Sequence, residues 1–227
     1  MKETWGLAGP ATQVPGLQRA SSSCFKTRTL LSDRAPLMRL WQAADRYPDA
    51  VAFNPAIRNP DGSQFFKRGS CLLPAAEKLP RGWPGKDSEV PVLSGASLMV
   101  RRAVFDAVSG FDPAIFLYHE DDDLALRLRS GGGKLMFVRG AVVTHAQGTS
   151  TAVSPGTAAL KAFHMGQSRV YAARKHGRPL AFVRAAGLAL AQLLSPLVLL
   201  SRRKRAKQWA FLKGVLTSSS LNRSGAV

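Results

Sequence analysis

Acidic residues are missing from the C-terminal half of this 227-residue chain, since no Asp or Glu follows Asp123. The whole sequence has 32 Lys and Arg against 14 Asp and Glu, a formal net charge of +18, and 17 of those cations lie after Asp123. A positive field of this size favours anionic partners. The candidates are a nucleotide diphosphate, an anionic lipid surface and nucleic acid.

Cysteine is also scarce. Cys24 and Cys71 lie far apart and belong to no CxxC or Cys/His pattern, which excludes a disulfide framework and a zinc site of the usual spacing. We expect free thiols in a reducing cytosol. Glu3 stands where a secretory signal would be basic, and no apolar run follows it, which argues against export.

Four consecutive acids, Glu120 to Asp123, form the most informative stretch of the sequence. Carboxylates are favoured in the first turn of a helix, and Leu124 and Leu128, four apart, can face a core. The pattern predicts a helix over about 120–130, ended by the glycines 131–133, which match no GxxxxGK[ST] phosphate loop. An acidic helix start is more often a cap than a catalytic site, so the acids alone leave both interpretations open.

The other hydrophobic patterns predict a mixed α/β order of elements. These elements are a helix over 37–44 with Asp33 as N-cap, a strand at 51–53, a turn at 59–62, a strand at 91–100, a short helix after Arg101, and strands at 135–138 and 141–144.

Several motifs surround the acids in a fixed order. They are Ser94-Gly95-Ala96 with Arg101-Arg102, then Gly110-Phe111-Asp112, then Tyr118-His119-Glu120-Asp121, and a strand that ends in His145 with Gly148 behind it. This series resembles the C-terminal half of family 2 glycosyltransferases, rhamnosyltransferase-like, from about Tyr47 to about His176. The resemblance implies a partial GT-A-like mixed sheet with flanking helices, followed by a hydrophobic and basic helical appendage.

The resemblance also implies residue roles. Asp121 would be the general base that takes the proton of the acceptor hydroxyl in an inverting transfer, and Glu120 would orient acceptor or base. Ser94, Gly95 and Asp123 would border the acceptor pocket, and Asp123 would also brace the loop, whereas Asp122 is expected to be a solvated charge.

A divalent metal, Mg or Mn, is the implied cofactor, and His145 would contribute to the metal and diphosphate site. Without the resemblance, a histidine at a strand end is more often structural than a ligand. A weaker alternative places a metal between His119 and Asp123, four residues apart on one helical face.

The implied partners are a nucleotide-sugar donor and a glycan or lipid-linked acceptor of the cell envelope or a polysaccharide. We expect a poorly ordered lead-in at 1–29, the catalytic and acceptor part at 30–176, and a helical tail at 177–227. The segment 65–90 would border the acceptor site or be a surface loop. No DxD-containing donor half is recognised before Leu30, so a truncated enzyme is expected, and a non-catalytic remnant is the alternative.

The tail combines apolar and basic character. Residues 185–200 contain only Gln192 and Ser195 as polar residues, are interrupted by Pro196, and precede the basic run 202–205. A bilayer span needs roughly 20 apolar residues, so we expect an interfacial helix at an anionic membrane. The expected location is the cytoplasmic face of the cell membrane, and nucleic acid is the less supported partner because no recognition motif accompanies the basic run.

Overall fold

The computed structural model describes residues 5–7, 35–145 and 155–218. Internal contacts divide the chain into two units. The sheet unit is Met1–Phe111 with Asp121–Gln147, and the helical unit is Asp112–Glu120 with Gly148–Val227. The domain boundaries proposed from sequence after residues 29 and 176 stay predictions.

The sheet unit contains a mixed β-sheet flanked by helices. Its strands are β1 (Trp5–Leu7), β2 (Ala50–Arg58), β3 (Gln64–Phe65), β4 (Ser88–Glu89), β5 (Met99–Arg101) and β6 (Lys134–Thr144). Its helices are α1 (Ala35–Arg46), α2 (Arg102–Ala107) and α3 (Glu120–Ser130), with a 3₁₀ turn at Ala75–Glu77. The strand order is β1-β5-β2-β6-β4, with β3 paired to β2, and only the β2–β6 pair is parallel among these strands. The predicted mixed α/β class is confirmed.

The two faces of the sheet carry separate cores because successive side chains of a strand point to opposite faces. Phe53 of β2 packs with Leu40 of α1 on one face. Its neighbour Ala52 packs with Leu124 and Leu128 of α3 on the other. The predicted pairing of those two leucines with a core is confirmed, and it fixes α3 against the sheet.

Strand β2 is longer than the predicted 51–53, and the two predicted strands at 135–138 and 141–144 are one strand, β6. The pairing of β2 with β6 shifts between Pro55 and Ala56, where Pro55 faces Val138 and Ala56 faces Val142. Proline cannot donate to the ladder, so a bulge at this point keeps both halves of β6 paired.

The prediction of a strand over 91–100 was wrong for most of its length, since β5 covers only Met99–Arg101. The preceding backbone is satisfied by a side chain instead of by a neighbouring strand. Asn54 Nδ2 donates to the carbonyl oxygens of Ser94 and Ser97, at 3.0 and 2.6 Å, and Asn54 Oδ1 accepts from the Ser94 amide at 2.6 Å. Buried polar backbone is stable only when paired in this way.

The helical unit consists of α4 (Pro155–Lys175), α5 (Ala181–Leu193), α6 (Pro196–Leu199) and α7 (Arg202–Thr217) in its described residues. Its core includes Val170, Ala185 and Phe211. Helices α4 and α7 approach so closely that a β-carbon at Gly214 would overlap the carbonyl oxygen of Phe163.

The predicted helical tail is confirmed as far as Thr217, and Pro196 separates α5 from α6 as expected. Among the described residues, every helix is too short or too polar to span a bilayer. Asp33 and Gly148, which the sequence suggested as a helix cap and part of the last motif, lie outside the described residues.

Candidate active site

The start of α3 brings the acids to a fixed position. Tyr118 and His119 adopt left-handed backbone angles, with φ of 63° and 68°, and Glu120 then begins the helix. Two successive non-glycine residues in this region are strained, which is typical of functional sites. His119 therefore precedes the helix, and the alternative of a metal shared by His119 and Asp123 on one helical face was wrong.

Asp121 is held by three donors. Its Oδ2 accepts from the Gly95 amide at 2.8 Å and lies 2.7 Å from Lys67 Nζ, while its Oδ1 accepts from the Asp122 amide at 2.9 Å. Hydrogen bonds from charged and backbone donors to a carboxylate are stronger than neutral ones. The predicted base is thus a well-oriented carboxylate.

The segment that carries Ser94 and Gly95 meets Asp121 directly. Ser94 is buried and held by Asn54, and a β-carbon at Gly95 would touch the Asp121 side chain at 3.4 Å. A glycine lets the backbone amide come within hydrogen-bond distance of the carboxylate without a side chain between them. The structure therefore brings together three of the six predicted site residues, Ser94, Gly95 and Asp121, and their roles stay predictions.

Lys67 was missed by the sequence reasoning. Its Nζ lies 2.7 Å from Asp121 Oδ2 and 2.8 Å from Asp122 Oδ1. Burial alone lowers the pKa of Lys67, but the charges of Asp121 and Asp122 outweigh it, so the pKa of this lysine is raised above its ordinary value. The ammonium is charged at neutral pH and balances one of the two carboxylates.

Asp122 was wrongly expected to be a solvated charge. It is buried, and its neighbour Asp123 is completely so. Buried carboxylates require a charged partner, and Lys67 supplies one to Asp122.

Asp123 pairs with Arg127 instead. Asp123 Oδ2 lies 2.8 and 2.7 Å from the Nε and Nη2 atoms of Arg127, and the same guanidinium donates to the carbonyls of Val108 and Gly110 at 2.5 and 2.7 Å. This network joins α3 to the turn after α2. Asp123 therefore braces the Gly110-Phe111 motif instead of opening into a pocket.

Glu120 is the first residue of α3 and is half-buried. A carboxylate at this position is favoured by the free amides of the helix start. Its predicted orienting role stays a prediction.

His145 lies at the end of β6, and its amide donates to the Arg58 carbonyl at 2.9 Å. Burial lowers the pKa of the imidazole, so the ring is neutral near pH 7, and its Nδ1 has no hydrogen-bond partner within the described ranges. A neutral ring with a free nitrogen suits a metal ligand. However, residues 35–145 and 155–218 contain no group of three His, Cys, Asp or Glu side chains able to hold an ion, so they do not build a metal site.

A cleft of about 460 Å³ opens in the segment predicted to border the acceptor. Its lining mixes apolar and basic side chains. The lining residues are Phe66, Arg68, Gly69, Ser70, Cys71, Leu73, Pro74, Ala75 and Lys78.

Asn54, Lys67 and Arg127 all escaped the sequence reasoning. Asn54 gave a usable signal, because a lone amide within an otherwise apolar strand needs buried partners. Nothing in the sequence marked Lys67, because it is one of several cations in a segment without apolar periodicity.

Comparison with known proteins indicates the class to which this mixed α/β chain is similar. Residues 74–161 match the family model described as glycosyltransferase like family 2. The resemblance to this family that was drawn from the motifs is confirmed.

Two relatives illustrate the similarity. The N-acetylglucosaminyl-diphospho-decaprenol L-rhamnosyltransferase of Mycobacterium tuberculosis is 34% identical over an alignment 198 residues long, which covers 74% of this chain and 61% of that protein. The rhamnosyltransferase WbbL of Escherichia coli K12 is 39% identical over 61 residues, 27% of this chain and 23% of that protein. The chain thus spans about three fifths of the length of the mycobacterial relative.

Proposed function

We propose that the chain is an inverting glycosyltransferase that moves a sugar from a nucleotide-sugar donor to a hydroxyl of a cell-envelope glycan or lipid-linked acceptor. The observation that carries the proposal is the carboxylate of Asp121, which lies within the region that matches the family and is fixed by Gly95 and Lys67. A catalytic base on a loop would lose its orientation, whereas a base in the first turn of a packed helix keeps it.

In the proposed reaction, the hydroxyl oxygen of the acceptor forms a bond to the anomeric carbon while the bond from that carbon to the diphosphate breaks. The hydroxyl proton passes to Asp121. The nucleoside diphosphate leaves with the bonding electron pair, so atoms and charge balance. A divalent cation, Mg or Mn, commonly supports this departure in the family, and no group of three potential ligands lies within the described residues.

The cleft at residues 66–78 is the proposed acceptor subsite. It lies in the sheet unit, as the acids do, and Phe66 in its wall is adjacent in sequence to Lys67. Apolar side chains with Arg68 and Lys78 suit a ligand that has both a sugar or lipid face and an anionic group. Both named relatives are rhamnosyltransferases, so rhamnose is the donor sugar to test first, and a polyprenyl-diphosphate-linked glycan is the acceptor to test first.

Attachment to an anionic membrane surface at the cytoplasmic face completes the proposal. Large apolar side chains are exposed on α5, α6 and the segment around them, with Leu194 73% and Leu200 87% exposed. The exposed basic residues of 202–207 adjoin them in sequence. Exposed apolar surface beside cations is typical of helices that lie at an anionic interface.

The test is single-turnover transfer by the full chain with uridine and deoxythymidine diphosphate sugars, including rhamnose, and a polyprenyl-diphosphate glycan. We expect transfer by the wild type, which would set aside the expectation from the sequence that the donor-binding half is missing. For Asp121→Asn we expect a loss of about 10²–10⁴ in rate with donor affinity retained. Asp106→Asn is the matched control, since Asp106 is exposed and pairs only locally with Arg102. Near-normal turnover by Asp121→Asn would remove this residue from the role, and no transfer from any donor by the wild type would refute the function.

A further inference from the structure

We propose that Lys67 is a positioning residue for the transfer reaction, which clamps Asp121 through its Oδ2 atom and leaves Oδ1 as the atom that receives the acceptor proton. This inference rests on the proposed function, and it adds a residue that lies outside the region matched by the family model, residues 74–161.

The contact is not a mobile surface pair. The side chains of Lys67, Asp121 and Asp122 are 20%, 16% and 6% exposed, and both Nζ–Oδ distances are below 3 Å. Exposed pairs contribute little because water screens them and long side chains lose entropy, but neither cost applies fully to a shielded group.

The backbone around Lys67 is fixed on both sides. Phe66 packs edge-to-face against Phe137 of β6, with ring centroids 5.3 Å apart. On the other side, Arg68 Nε donates to the Leu79 carbonyl at 2.8 Å. Lys67 therefore approaches the acids from an immobilised segment, as a residue that orients another side chain must.

The two carboxylate oxygens of Asp121 differ in how many further hydrogen bonds they can accept. A carboxylate oxygen accepts about two hydrogen bonds. Oδ2 receives both Lys67 and Gly95, whereas Oδ1 receives only the Asp122 amide within the described part of the chain. The remaining acceptor position of Asp121 is therefore on Oδ1, and the clamp on Oδ2 fixes where that position points.

The charge of Lys67 matters as much as its geometry. Asp121 and Asp122 approach a single ammonium from two sides, so without it two shielded carboxylates would face each other. Such a pair shares a proton, because like charges in a shielded site disfavour double ionisation. A shared proton would block the base, and the positive charge of Lys67 between the two carboxylates opposes such sharing.

The first experiment is the pH dependence of kcat/KM for Lys67→Met, Lys67→Arg and Lys86→Met. Lys86 is an exposed lysine of the same segment and serves as the control. For Lys67→Met we expect the acid limb of the profile to move up by about one to three pH units, as expected when a carboxylate loses an adjacent cation. Lys67→Arg should restore much of the shift, and Lys86→Met should match the wild type. A profile of Lys67→Met that overlays the wild type would overturn the inference.

A second experiment needs no activity, so it separates this inference from the proposed function. Unfolding by urea is measured for Lys67→Met, for Asp122→Asn and for the double variant at pH 5 and at pH 8. We expect Lys67→Met to be less stable at pH 8 than at pH 5 relative to the wild type, and the double variant to recover part of that loss, because one carboxylate and its partner are removed together. If the wild type transfers no sugar but this coupling is found, the function fails and the clamp stands. Additive effects of the two substitutions at pH 8 would overturn the clamp.

Discussion

The sheet unit and the helical unit handle charge in opposite ways. In the sheet unit, individual acids are matched to individual cations across short distances, as in Asp121 with Lys67 and Asp123 with Arg127. The helical unit lies mostly in a stretch where no acid follows Asp123, so its cations have no acidic partner within that stretch. Paired charges fix geometry, whereas unmatched charges of one sign create a field. We infer that the first region serves chemistry and the second serves attachment.

The largest expected effect tests whether the positive electrostatic field of the helical unit attracts an anionic membrane. Changing Arg202, Arg203, Lys204, Arg205 and Lys207 to Ser should greatly weaken binding to phosphatidylglycerol-containing vesicles, since each cation contributes on the order of 1 kcal/mol near such a surface. Wild-type binding should also fall as salt rises, because screening acts within about 8 Å at physiological ionic strength. Flotation at low and high salt measures both.

The matched control for this experiment changes five exposed cations of the sheet unit, Arg46, Arg81, Lys86, Arg102 and Lys134, to Ser. That variant should float with the vesicles as the wild type does. Binding that ignores salt, lipid charge and the five substitutions would show that the field has no such role. Self-association of the chain without lipid would instead assign the apolar surface to a second copy.

The next effect tests how much a buried ion pair of the sheet unit stabilises the fold. Asp123→Asn should lower the free energy of unfolding by about 3–5 kcal/mol, because Arg127 keeps its charge in a site that has lost the opposite one. Asp106→Asn removes the same kind of pair, with Arg102 four residues away, but both partners are exposed. That control should cost less than about 0.5 kcal/mol. Urea unfolding of both variants decides the point, and equal losses would remove the distinction between buried and exposed pairs.

A smaller effect tests the close packing of two helices in the helical unit. Gly214→Ala should lower the free energy of unfolding by about 1–3 kcal/mol, because the added methyl group meets the Phe163 carbonyl. Gly187→Ala is the control, since a β-carbon there meets open space in α5 and should stabilise by about 0.5–1 kcal/mol. Thermal unfolding followed by circular dichroism measures both, and a neutral Gly214→Ala would show that close helix packing is unimportant here.

The smallest effect concerns an acid within the helical unit. Burial raises the pKa of Asp112, but hydrogen bonds from Lys175 and the Ala114 amide outweigh it, so this pKa is lowered. A carboxyl group whose pKa is lowered by folding stabilises the fold at pH values above its pKa in the unfolded state, about 3.9. This stabilisation is lost as the pH falls through the pKa of the folded state. Because its partner Lys175 is partly exposed to water, Asp112→Asn should cost only a few tenths of a kcal/mol to about 1 kcal/mol at pH 6 and less at pH 2. A cost independent of pH would contradict the ionic contribution.

Sequence reasoning reached the elements that repeat a pattern and missed the contacts that join distant segments. The helix at 120–130 and the Pro196 break followed from spacing and from proline chemistry, and both are confirmed. The strand expected over 91–100 failed because Asn54, some 40 residues earlier, satisfies that backbone. Lys67 and the burial of Asp122 depend on the same kind of tertiary contact, which apolar periodicity does not encode. Motif order located the acids, but it could not say which of them are paired inside the protein.

The central claim is that the Asp121 carboxylate accepts the proton of the acceptor hydroxyl. Chemical rescue tests it most directly: single-turnover transfer is measured for Asp121→Ala with formate, and with chloride at equal ionic strength. The account predicts a loss of about 10²–10⁴ in rate for Asp121→Ala, partly reversed by formate and not by chloride, because the small carboxylate can occupy the vacated space as a base. Turnover by Asp121→Ala close to that of the wild type, without formate, would contradict the account.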